Sequence, residues 1–224
     1  MRRFLSSICR LTAALSTCVF VTACTKPHAN APGYRLPNCP RAPAITDERS
    51  IKASFETNSG MYGIWRPQAY ANICSLSAWD GAFVKNESIE PYIRSGSFIP
   101  LYLHQNGDAL IEVRIGSAAM PASPTSIEAR WTTNASEPYL FESDGVLALS
   151  GIEVVNGSAN PQVHALPLAA GRWTLTVRVL EPPYERSGKN DQIPNFLVLA
   201  NPEIKPAPAY RLSVETFSQA TQPP

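Results

Sequence analysis

The residues able to do chemistry in this chain are few, and they are widely spaced. Five cysteines stand at Cys9, Cys18, Cys24, Cys39 and Cys74, and three histidines at His28, His104 and His164. Cys24 follows two small side chains, Thr22 and Ala23, at the end of an uncharged run. A thiol is a nucleophile through its thiolate form, which makes Cys24 a candidate for covalent modification. His104 ends the apolar stretch FIPLYLH and His164 lies in QVHALP, and each reads as a surface residue of a strand or loop rather than a catalytic base. The sequence holds no Gly-x-Ser-x-Gly elbow, Ser-x-x-Lys, His-Glu-x-x-His, phosphate loop or dinucleotide fingerprint. No close-spaced Cys or His partners suggest a transition-metal site. ESDG, residues 142 to 145, offers oxygen ligands for a weak calcium site, but its Asp-Gly pair reads first as a plain β-turn. Neither a catalytic residue, a metal nor a cofactor is therefore expected.

The setting of Cys24 is that of an address. Arg2, Arg3 and Arg10 precede an uncharged run from Leu11 to Ala23, 13 residues long. As a helix such a run reaches only about 20 Å, against a hydrocarbon core of roughly 30 Å, so it reads as a secretory signal and not a permanent span. VTAC, Val21 to Cys24, resembles the lipobox of bacterial lipoproteins, with Val21 where Leu is usual. The resemblance implies that Cys24 is acylated on sulfur, cut free on its amino side and anchored in a bilayer by its acyl chains. An ordinary signal peptide with a coincidental Cys at the cut is the competing reading; the polar, Pro-rich stretch directly after Cys24 speaks against it. RRFL lacks the residue that a twin-arginine signal places between the arginines and the Phe. Thr25 is not the Asp that retains such proteins at the inner membrane, so the resemblance implies an outer-membrane lipoprotein facing the periplasm.

Removal of residues 1–23 leaves 201 residues, Cys24 to Pro224, enough for one β-rich domain with a proper core or for two very small ones. Of 19 basic residues three leave with the signal, so 16 face 18 acidic ones, a balance that does not suit nucleic acid. Cys39 and Cys74 are then an even pair in an exported chain, which reads as a disulfide closing a loop of about 36 residues, worth roughly 3 to 4 kcal/mol. Two unpaired thiols are the alternative.

Residues 24–46 hold five prolines and almost no apolar periodicity, and read as a stiff tether. Residues 47–217 form the domain and 218–224 a flexible tail. Within the domain the signal is period-two alternation, with no convincing helix of ten residues. IKASFET alternates Ile51, Ala53 and Phe55 against Lys52, Ser54 and Glu56. FIPLYLHQNGDALIEVRI reads as a hairpin about Asn106 and Gly107. SIEARWT, RWTLTVRVL and YRLSVETF read as further strands, with less regular candidates at YLF, GVLALSGIEVV, QVHALPL and NFLVLA. Nine to eleven short strands with turns rich in Gly, Pro, Asn and Asp predict an all-β domain, an antiparallel β-sandwich with a β-barrel as the alternative.

Two segments stand out as contact surfaces. Residues 181 to 195, EPPYERSGKNDQIPN, are longer and more charged than a connection between two strands needs. Tyr184 and Arg186 are side-chain types that dominate interfaces, and Glu185, Lys189 and Asp191 add charge around them. A solvated excursion without a partner is the opposing reading. In residues 58 to 70, Met61, Tyr62 and Trp65 sit among glycines, with core packing of Trp65 the plainer explanation.

ALPLAAGRWTLTVRV followed by NFLVLANPE resembles the closing strands of β-sandwich domains in some bacterial immunity-type proteins. The resemblance carries no functional residues; it implies a domain that binds and neutralises a toxin reaching the periplasm. The sequence thus predicts a non-catalytic, envelope-anchored protein-binding lipoprotein. A lipid-anchored hydrolase or carbohydrate-binding accessory is the alternative, which paired carboxylates in a cleft or a pocket lined by Trp65, Trp79 and Trp131 would favour.

Overall fold

A computed structural model describes residues 49–103, 106–182 and 193–217. They fold as eight strands: β1 (Ser50–Thr57), β2 (Met61–Trp65), β3 (Phe98–Tyr102), β4 (Gly107–Ile115), β5 (Thr132–Ala135), β6 (Tyr139–Gly151), β7 (His164–Leu180) and β8 (Phe196–Pro202). Three short helices accompany them, α1 (Leu76–Phe83), α2 (Asn86–Arg94) and α3 (Ser126–Trp131). The domain is mostly β, as its alternation predicts, but the strands form one open mixed sheet and not the expected antiparallel sandwich. Its order is β1-β4-β8-β7-β6-β2-β3, with β5 also on β7, and β4 runs parallel to β8.

The alternation of β1 is observed, with Ile51, Phe55 and Thr57 buried and the residues between them exposed or half-buried. In β7, Trp173, Leu175 and Val177 are buried, as expected from RWTLTVRVL. Other expectations fail for local reasons. The hairpin about Asn106 and Gly107 does not form: β3 pairs with β2, while β4 pairs with β1 and β8. Three of the four ladder edges of those two strands are thus taken by other strands. SIEARWT is α3, because Thr125 caps it and shares a reciprocal capping box with Glu128, which overrides an apparent alternation. Ile127 is consequently exposed and Glu128 buried. YRLSVETF is not a strand but a strap held by side chains: the Tyr139 hydroxyl donates to the carbonyls of Ser213 and Glu215, and the Thr216 hydroxyl to that of Pro100. ESDG is no turn, since it lies inside β6 at a register shift between Ser143 and Gly145.

The two long strands explain why fewer strands form than the sequence suggests. YLF and GVLALSG merge into β6, and QVHALPL and RWTLTVRVL into β7, which together make an extended antiparallel ladder. The strands β1 and β2 are joined by residues 58–60 alone, yet β1 stands at one end of the sheet order and β2 near the other. The sheet must therefore coil until those strands meet. Thr57 fixes the meeting point, its hydroxyl bonding the carbonyl of Met61 at 2.9 Å and Oε1 of Glu153 at 2.9 Å.

The core fills this coil. Tyr70 is fully buried between Trp65, Phe83, Tyr92 and Phe98, with ring centroids 5.2–6.4 Å apart, and so docks α1 and α2 on β2 and β3. In α2 the i, i+4 pair Ile89 and Ile93 faces inward. Strand β8 is buried on both faces. Phe196, Val198 and Ala200 belong to the main core, while Leu197 and Leu199 join Leu180, Ala122 and Ile193 in a second cluster on the opposite side.

Candidate functional site

Two clefts open along the rim where β1 ends and β4 begins. The first, of about 390 Å³, is lined by Phe55, Glu56, Asp108, Glu153 and His164 among others. The second, of about 330 Å³, has Tyr62, Leu103, Ala109, Leu180 and Phe196 in its wall, with Asp108 and Glu181. Asp108 lines both.

The strand register places these groups. Glu56 stands directly opposite Asp108 across the β1–β4 ladder, a like-charge juxtaposition that disfavours the pair by a few tenths of a kcal/mol to about 1. Glu153 follows the end of β6 in a short 3-10 turn, Ile152–Val154. Its Oε1 accepts from the Thr57 hydroxyl and, at 2.6 Å, from the Asn58 backbone N–H. Among the described residues no Lys or Arg pairs with Glu56, Asp108 or Glu153. The strands approach so closely here that a Cβ on Gly151 would lie 2.5 Å from the Glu56 carbonyl oxygen. His164 begins β7 half-buried, its ring edge-on to Phe55 at 4.9 Å.

In the second cleft the Tyr62 hydroxyl donates to the Gly107 carbonyl at 2.7 Å. Burial pushes that hydroxyl up to about 12, and the Asp108, Glu153 and Glu56 carboxylates add to the push. The negative potential of the rim thus reaches the floor of the second cleft. Asn195 closes one side. Its side-chain Oδ1 accepts from Leu110 N–H at 2.8 Å, its own N–H donates to the Leu110 carbonyl at 2.7 Å, and its carbonyl accepts from Leu180 N–H at 2.9 Å. The two ends of the long 181–195 connection are thereby pinned together and to β4.

The sequence-predicted residues distribute as follows. Cys24, Cys39, His104, Tyr184, Glu185, Arg186, Lys189 and Asp191 lie outside the described residues. Cys74 is half-buried immediately before Ser75, the N-cap of α1. Met61, Tyr62 and Trp65 are core residues, and Trp65 Nε1 donates to Ser150 Oγ at 3.1 Å. Trp79 packs on Phe83 and bonds the Ile152 carbonyl, and no tryptophan lines either cleft. Glu142 and Asp144 of ESDG face Arg172 and Arg66 instead of sharing a site. Among the described residues no group of three or more His, Cys, Asp or Glu is placed to hold a metal ion, and no helix is long and apolar enough to cross a membrane. Sequence reasoning missed Asp108, Glu153 and Asn195, for which the only signal was the outward placement of Glu56 in an alternating strand.

No family model matches the chain, and no curated protein matches it. Among solved structures it is similar to one described as Crocagin biosynthetic gene J, at 13% identity with a TM-score of 0.42, over 70% of this chain and 97% of that one. A likeness so distant carries no argument about function.

Proposed function

We propose that this chain is an envelope-anchored bacterial lipoprotein, held through acylated Cys24 and facing the periplasm from the outer membrane, that acts as a non-catalytic protein-binding module. The observation that carries the binding reading is the pinned root of the 181–195 connection. Asn195 bonds both Leu110 and Leu180, so the two ends of this long, charged connection are fixed together beside a cleft. A rigid root lowers the ordering cost of any contact made by the excursion. The immunity-type resemblance names a toxin reaching the periplasm as the partner.

The alternative, a hydrolase or carbohydrate-binding accessory, is less well supported. Its expected tryptophan-lined pocket is replaced by a fully buried Trp65 and a Trp79 bonded to the 3-10 turn. Carboxylates do line a cleft, but their arrangement along two neighbouring strands and a turn leaves Glu153 already accepting two hydrogen bonds.

Affinity capture from the native envelope with the full chain, repeated with the double variant Tyr184→Ala/Arg186→Ala, tests the reading. Interface energy concentrates in a few aromatic and Arg anchors, so the double variant is expected to bind the captured partner about a hundredfold more weakly, roughly 2.8 kcal/mol, with an unchanged melting temperature. Unchanged affinity in a normally folded variant rejects these residues as the partner-binding anchors.

A further inference from the structure

We propose that the two clefts meeting at Asp108 form one acidic-rimmed seat for a cationic amphipathic segment of a partner protein, with an apolar side chain on the floor of the smaller cleft and Lys or Arg neighbours against Asp108 and Glu181. The inference deepens the binding reading above and rests on it.

Three features of the site select this chemistry. The smaller cleft is floored by the buried apolar bodies of Tyr62, Ala109, Leu180 and Phe196, a surface suited to an apolar side chain and not to a charged one. Its rim carries Asp108 and Glu181, both exposed, and the adjoining cleft adds Glu56 and Glu153. None of these four carboxylates is matched by a Lys or Arg among the described residues. Elsewhere on the same sheet outward carboxylates are neutralised, Glu112 by Lys52 and Arg114, Glu203 by Arg172. On the sheet the unbalanced negative charge is therefore gathered at the clefts, and a ligand of opposite sign completes it.

The floor is also fixed before any ligand arrives. Tyr62 is tied to Gly107, and Asn195 to Leu110 and Leu180, so the walls of the smaller cleft need little ordering on binding. The opposition of Glu56 and Asp108 across the ladder disfavours the free domain, and a bound cation relieves it. Relief of a repulsion present only in the free state adds to affinity for a cation over a neutral ligand.

The test uses the full chain in phosphatidylcholine nanodiscs, with empty nanodiscs as the blank. The probe is a fluorescent twelve-residue peptide of alternating Lys with Leu or Phe, read by anisotropy. Its two twins carry Glu for every Lys, or Ser for every Leu and Phe. The Lys-bearing amphipathic peptide is expected to bind at least tenfold more tightly than either twin, with affinity falling as salt rises. Asp108→Asn/Glu181→Gln is expected to lose at least tenfold in affinity for that peptide, while its melting temperature in the absence of peptide is equal or higher because the Glu56 opposition is gone. Equal binding by the double variant, or equal binding of the twins, overturns the proposal. Its failure is separable from failure of the binding reading. A captured partner that is lost with Tyr184→Ala/Arg186→Ala but held unchanged by Asp108→Asn/Glu181→Gln leaves a binding protein whose cleft is not the seat.

Discussion

Arg114 and Glu128 meet in a two-pronged ion pair, Nη1 to Oε2 at 2.8 Å and Nη2 to Oε1 at 2.6 Å, which ties the first turn of α3 to the outer face of β4. Parallel N–H···O bonds of this kind are among the stronger charge-assisted contacts. Glu128 also serves the capping box, accepting from Thr125 N–H at 2.8 Å, and Arg114 Nε reaches Glu112 at 2.6 Å. One carboxylate therefore holds both a helix N-terminus and its packing on the sheet.

That arrangement predicts acid sensitivity. Burial raises the Glu128 pKa, but the Arg114 hydrogen bonds and those to Thr125 outweigh it and bring the group down to about 2 from an ordinary 4.5. A folded pKa below the unfolded one contributes stability that is complete above about pH 4.5 and is lost as pH falls toward about 2, roughly 2 to 3 kcal/mol in all. Urea midpoints measured from about pH 5 to pH 2 should fall more steeply in the native chain than in Glu128→Gln, which lacks this titration. At neutral pH the substitution should itself cost about 2 kcal/mol, less than a fully buried pair, because Arg114 keeps Glu112. Parallel acid profiles for the two proteins would remove Glu128 as the cause.

A pairing of Cys74 with Cys39, expected from the sequence, would join residue 39 to the position just before the N-cap of α1. Non-reducing mass spectrometry of the mature protein is expected to recover one peptide joining the two residues. Reduction should then lower stability by roughly 3 kcal/mol, given a closed loop of about 36 residues. Full alkylation of both thiols without reductant would contradict the pairing.

The proposed anchoring rests on one sulfur. Cys24→Ser keeps a hydroxyl but removes the thiolate on which a thioether forms, so incorporation of labelled fatty acid should stop and the product should remain uncut or become soluble. Label retained by the variant would place the acyl chains elsewhere.

The parts of the fold that were legible in the sequence are those where one face of a strand is buried and the other wet. Ile51 and Phe55 in β1, and Trp173, Leu175 and Val177 in β7, declare themselves by alternation. What alternation cannot report is which strand lies next to which. Gly107 marks a plausible turn, yet β3 and β4 go to different neighbours because β1 and β8 take both edges of β4. α3 was misread because Ile127, Ala129 and Trp131 are spaced by two, although the Thr125 to Glu128 capping signature was present in the sequence. Asp108, Glu153 and Asn195 were illegible for a different reason. Each gains its meaning from a residue at least 52 positions away in the chain, Glu56 for Asp108, Thr57 for Glu153 and Leu110 for Asn195.

One substitution should act with opposite signs at two glycines, and the contrast separates backbone geometry from helix propensity. Gly96 follows the C-cap of α2 with φ +67°, and its carbonyl accepts the Glu142 N–H at 2.7 Å. An added Cβ there would lie 2.9 Å from the Glu142 nitrogen and 3.0 Å from Leu140 Cγ, so alanine meets both a left-handed backbone and a crowded wall. The left-handed conformation alone costs about 1 kcal/mol or more, and the backbone neighbour has no freedom to retreat without breaking its own bond. Gly81 lies exposed inside α1, where an added Cβ meets nothing within 4 Å. Alanine in a helix interior is favoured over glycine by roughly 0.5 to 1 kcal/mol, chiefly through the unfolded chain. Gly81→Ala should therefore raise the denaturant midpoint, and Gly96→Ala should lower it by an amount equivalent to about 2 kcal/mol, with m-values unchanged in both. Equal and small effects at the two sites would mean that the turn after α2 yields more readily than its contacts with β6 imply.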